Sequence, residues 1–123
     1  MRPRSLAAAE SGRALPENAA GFYVPSAPLP KSFRNVGSIL LSPEARGVLR
    51  GRVIPVEGTV FEFRRATMKG RLVEFRTAAV GGVSYGFQGE LGDALTGTLR
   101  RFQNDRPIAA AKLRFTHTHG HGE

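Results

Sequence analysis

The sequence predicts an all-β fold: a single curved antiparallel β-meander of about six to seven strands, closed only as an open barrel or half-barrel, with an extended N-terminal arm. Three observations carry this reading. From Val48 onward apolar and polar residues alternate with a period of two. Short glycine-bearing loops punctuate the alternation. Six of the eight prolines (Pro3, Pro16, Pro25, Pro28, Pro30 and Pro43) precede residue 44, so the regular pattern begins only after them.

Taken in chain order, residues 1–44 form the arm, because Pro25, Pro28 and Pro30 exclude helix and favour polyproline-like backbone. Arg2, Arg4 and the Leu6–Ala9 run begin like an export signal. Glu10 and Arg13 interrupt it before an apolar core of ~7–15 residues forms, so no signal is read, and the expected location is cytoplasmic by default and periplasmic if the true N-terminus lies upstream. Phe22, Tyr23, Val24, Leu29 and Phe33 are too apolar for a free tail and predict that this stretch docks on a hydrophobic surface. Ser42-Pro43-Glu44-Ala45 reads as a helix start that Gly47 limits to about one turn.

The meander occupies residues 45–117. Val60–Arg64, Val73–Thr77 and Val83–Gln88 alternate cleanly, separated by the loops Met68-Lys69-Gly70 and Val80-Gly81-Gly82, with Val56-Glu57-Gly58 before them. Three-residue loops at these places set Arg52 opposite Glu62, Val53 opposite Phe61, Phe63 opposite Phe75, Arg64 opposite Glu74, and Phe75 opposite Phe87. Leu95–Phe102 and Ile108–His117 add two strands, the second after the turn Asn104–Pro107. One inner row then reads Gly51, Phe63, Phe75, Phe87, Leu99, Leu113, with Gly89 and Gly97 facing each other where the sheet bends. Arg65 and Arg101 fall on the nominal inner face at its ends, as an open rim.

The segment Tyr85-Gly86-Phe87-Gln88-Gly89-Glu90-Leu91, followed by Leu95-Thr96-Gly97-Thr98-Leu99, resembles the hairpins of lipocalin-like (calycin-type) β-meander modules of secreted bacterial proteins, over about residues 48–116. That resemblance implies a small open or closed barrel that binds an apolar ligand or serves as an appended, non-catalytic domain.

Composition bounds the function. The chain has 123 residues and no cysteine, which leaves room for one domain and excludes disulfides, zinc–thiolate sites and cysteine nucleophiles. No apolar run reaches the ~18 residues of a membrane-spanning helix. Eighteen Lys and Arg against ten Asp and Glu give a net charge of +8, which makes polyanions natural partners. Histidines occur only at 117, 119 and 121, among the last seven residues at or beyond the end of the last strand, which argues against a hydrolytic triad, and Glu62 and Glu74 face arginines that make them structural. The chain is therefore read as a non-enzyme that needs no cofactor.

Two binding readings remain. In the first, the concave aromatic residues Phe61, Phe63, Phe75, Tyr85 and Phe87 hold an apolar ligand, a protein partner segment or a second copy of the chain. In the alternative, Arg50, Arg52, Arg64, Arg76, Arg100 and Arg114 on the convex face bind nucleic acid or another polyanion. The tail, residues 118–123, with the preceding His117, places His117, His119 and His121 at spacings of two beside Glu123, a set able to wrap Zn²⁺, Ni²⁺ or Cu²⁺.

Overall fold

A computed structural model describes residues 19–118. They form eight strands: β1 (Gly21–Pro25), β2 (Val36–Pro43), β3 (Leu49–Pro55), β4 (Phe61–Lys69), β5 (Leu72–Thr77), β6 (Val83–Leu91), β7 (Ala94–Gln103) and β8 (Arg106–Thr118). Each strand pairs with its neighbour in sequence, and β1 also pairs with β8, so the sheet is a closed antiparallel barrel. The expected six to seven strands and open barrel are thereby corrected to eight strands and closure.

The two additional staves come from the stretch read as an arm, so residue 44 marks no boundary in the sheet. Tyr23 points inward and is 1% exposed, while Phe22 on the other face is 46% exposed, the alternation of a half-buried strand. Pro25 ends β1, where a missing N–H is tolerated. In β2 the interior residues are Ile39 and Leu41, and the intervening Leu40 turns the period-two signal into an unbroken apolar run. A 3₁₀ turn at Lys31–Phe33 then covers one end of the barrel. Phe33 is buried there with its ring 6.5 Å from that of Tyr85, and Arg101 Nη1 donates to the Ser32 carbonyl at 3.2 Å. The rim expected to be open at Arg101 is thus tied shut. The expected helical turn after Ser42 is a 3₁₀ turn at Ala45–Gly47, with Ser42 and Pro43 still in β2.

Most of the expected register is present. Arg52 faces Glu62, Val53 faces Phe61, Phe75 faces Phe87, and Phe87 faces Leu99. Tyr85 N–H donates to Thr77 Oγ1 at 3.0 Å. Gly89 faces Gly97, and a Cβ on Gly89 would lie 2.6 Å from Gly97 Cα and 2.1 Å from the Thr96 carbonyl oxygen, so two backbones meet where side chains have no room. The last strand is displaced by two residues: Leu99 faces Ala111, and Leu113 faces Gly97.

The β4–β5 hairpin departs from the expectation. Its turn is Gly70-Arg71, with Gly70 at φ 59°, so Lys69 faces Leu72 and Ala66 faces Phe75. Taken alone, that turn would carry Phe63 to the outside. One extra residue in β4, at Arg64, restores the phase: Phe63 faces Thr77 inside the barrel, while Arg65 faces Arg76 outside. The expected Arg64–Glu74 pair is not formed. Phe63 and Phe75 are diagonal neighbours, with rings stacked at 4.2 Å and 18°.

Candidate polyanion-binding face

The inward aromatics form a packed interior. Phe61, Phe75, Tyr85 and Phe87 are each at most 6% exposed, and Phe63 is partly buried against them. Phe75 stacks on Phe87 at 5.4 Å, and Phe61 meets Tyr85 edge-on at 5.1 Å. Burial pushes the Tyr85 hydroxyl pKa up, partly offset by the Arg101 charge, and pushes that of Tyr23 up to about 12. Both phenols are therefore neutral at physiological pH.

The outer wall carries the charge. At the bulge, β3 and β4 part: between the pair Arg52–Glu62 and the bridge Val48–Thr67, Leu49–Gly51 lies alongside Phe63–Ala66, three residues against four. A recess of about 710 Å³ opens there, bordered by Arg50, Arg52, Arg64 and Arg65. A second recess, of about 390 Å³, lies on the other side of β4 and is bordered by Arg65, Arg76, Arg100 and Phe102. Arg65 and Ala66 belong to both, so the two join into one basic band from β3 to β7.

Some of this charge is locally compensated. Arg50 pairs with Glu44 at 3.0 Å, Arg52 with Glu62 at 3.5 Å, and Arg76 with Asp105 at 3.1 Å. Arg64, Arg65 and Arg100 make no ion pair among the described residues. The Arg76 guanidinium carbon also sits 3.5 Å above the centre of the Phe102 ring, a cation–π contact.

Five of the six arginines expected to act together (Arg50, Arg52, Arg64, Arg76 and Arg100) are on this band. Arg114 is not: it faces Thr96 and borders a separate surface recess with Lys112 and Glu90. Arg65 and Phe102 were missed. The signal for Arg65 is the Arg64-Arg65 doublet itself, which breaks the alternation inside a strand and so marks the bulge. Glu74, expected opposite Arg64, instead faces Thr67 and Gln88.

Of the proposed metal set, His119 and His121 lie outside the described residues. The His117 ring stacks on Tyr23 at 4.8 Å, with Nε2 3.1 Å from the Ala20 carbonyl oxygen. Among the described residues no three His, Cys, Asp or Glu side chains gather as a metal site, and no helix is long and apolar enough to cross a membrane. Comparison with protein-family models, curated proteins and solved structures returned no match.

Proposed function

We propose that the protein is a non-enzymatic binder of a phosphate-rich polyanion, a single strand of nucleic acid, held along the outer band from Arg50 to Arg100. The observation that carries this reading is the joining of two recesses at Arg65, which lines up six arginines, three of them without an ion partner among the described residues. Adjacent strands lie about 4.8 Å apart, so recesses a few strands wide accept one sugar–phosphate backbone more readily than a duplex. Arginine suits the task because its planar fork grips phosphate oxygens in pairs.

Fluorescence anisotropy of a labelled single-stranded oligonucleotide tests the reading. Affinity should persist near physiological salt, with a logarithmic salt slope of about −0.7 per phosphate contacted. Replacing Arg52 and Arg64 with Ala should flatten that slope. Release of the oligonucleotide at that ionic strength overturns the proposal, because a protein of net charge +8 binds any polyanion weakly in low salt.

A second reading, apolar-ligand binding inside the barrel, draws on the lipocalin-like resemblance. Phe63 favours it, since this partly buried ring borders the recess between β3 and β4. A ligand would have to displace the stacked rings of Phe63, Phe75 and Phe87 to enter, and that ranks it second.

A further inference from the structure

We infer that the recess between β4 and β7 is a seat for one phosphate group of the strand, gripped by Arg65, Arg76 and Arg100; this deepens the polyanion reading and rests on it. The seat is built around a like-charge row. Arg65 lies directly opposite Arg76, and Arg76 is followed across the sheet by Gly86 and then Arg100. Like charges directly opposite each other destabilise a sheet, so without a ligand the row opposes folding. An anion between them reverses the sign of that contribution.

Gly86 supplies the space. A Cβ at this position would meet the Phe102 ring at 3.1 Å and Arg76 Cδ at 3.4 Å. With no side chain there, Phe102 lies over the glycine and forms the floor on which the Arg76 guanidinium rests. Asp105 holds one Arg76 amino group at 3.1 Å. Arg76 is thus positioned from two sides, which lowers the ordering cost of binding. Its Nε is buried without a hydrogen-bond partner, a donor still to be satisfied.

The charge balance selects the ligand. Three arginines against Glu74 and Asp105 leave 3 − 2 = +1. That matches the single negative charge of an internucleotide phosphodiester better than the charge of about −1.5 to −2 on a phosphomonoester at pH 7. Thr67 and Gln88 flank Glu74 on the same outer face and add neutral hydrogen-bonding groups beside the seat.

The test follows arginine Nε–Hε resonances of the full chain by ¹H–¹⁵N NMR, with dimethyl phosphate, inorganic phosphate and a short single-stranded oligonucleotide as probes. Dimethyl phosphate and the oligonucleotide should each shift Arg65, Arg76 and Arg100 and leave Arg114 in place. Arg100→Gln should weaken oligonucleotide binding about tenfold, the scale of one lost charge-assisted contact, whereas Arg114→Gln should not. Gly86→Ala should also weaken it, by displacing Phe102 and Arg76, while spectral dispersion elsewhere reports an intact barrel. If the oligonucleotide binds near physiological salt without moving these three resonances, or if Arg100→Gln and Arg114→Gln weaken it equally, the seat is wrong and the band reading stands. If dimethyl phosphate moves them but the oligonucleotide is released at that salt, the band reading fails and the inference falls with it, because the seat then has no strand to hold. Clearly tighter binding of inorganic phosphate than of dimethyl phosphate would overturn the assignment to a diester.

Discussion

Arg65 of β4 stands directly across from Arg76 of β5 on the outer wall, the last pair in the register set by the Gly70-Arg71 turn before the extra residue at Arg64. Bulges re-aim side chains, and this one returns Phe63 to the core although the turn has placed Arg65, two residues on, outside. Without it Phe63 and Arg65 would share one face of the strand; with it the core gains the ring and the outer wall keeps the charge. Arg65→Glu should therefore separate stability from binding. Exchanging a like-charge pair for an opposite-charge pair should stabilise the unliganded barrel by about 0.2–1 kcal/mol. Oligonucleotide affinity should fall at the same time. Urea unfolding beside anisotropy checks both, and a variant that loses stability with its binding would show that Arg65 has a structural role instead.

The interior should be costly to disturb. Phe75 is 3% exposed and lies between the rings of Phe63 and Phe87. Phe75→Ala should lose roughly 3–5 kcal/mol in urea unfolding, the usual cost of truncating a buried aromatic. A loss below about 1 kcal/mol would mean that the rings are loosely packed and that the interior accepts a ligand.

Much of the sheet was legible because short turns and alternation propagate. Once Val53 is set against Phe61 and Phe75 against Phe87, the inner faces of β3 to β6 follow. The exceptions have local causes. A two-residue turn at Gly70-Arg71 and a bulge at Arg64 nearly cancel in phase, so Phe63 and Phe75 still meet although their predicted pairing is wrong. At Asn104 and Asp105 two non-glycine residues with positive φ make a tighter turn than Pro107 suggested, so β8 begins at Arg106. β1 and β2 were obscured by prolines and by Ile39-Leu40-Leu41, which hides the period. The basic band was only half visible, because bringing Arg65 and Arg100 to the border of one recess requires the register of four strands at once.

Closure of the barrel makes residues 21–36 structurally indispensable. β1 hydrogen-bonds to both β2 and β8, so its removal exposes two strand edges and part of the apolar interior. A chain lacking residues 1–18 should keep the melting temperature of the full chain, since all eight strands remain. One lacking residues 1–36 should aggregate or melt well below it. Equal melting temperatures for the two truncations would show that the remaining strands form a stable sheet without β1.

Tyr23 makes the stability of the barrel sensitive to alkaline pH. Its hydroxyl donates to the Ala19 carbonyl, and burial raises its pKa from the usual 10 to about 12, because the charged phenolate is disfavoured inside the protein. The folded state therefore keeps a proton that the unfolded chain loses above pH 10. Stability from this residue is fully present below pH 10 and is lost as pH rises toward 12, by roughly 2–3 kcal/mol at most. Tyr85, also raised by burial, adds in the same direction. Tyr23→Phe should lose about 0.5–1.5 kcal/mol at neutral pH with the hydrogen bond. It should then decline less steeply than the unsubstituted protein between pH 10 and 12. Urea unfolding at intervals across that range measures both slopes. Parallel slopes would show that Tyr23 titrates at its ordinary value and that water reaches its hydroxyl in the folded barrel.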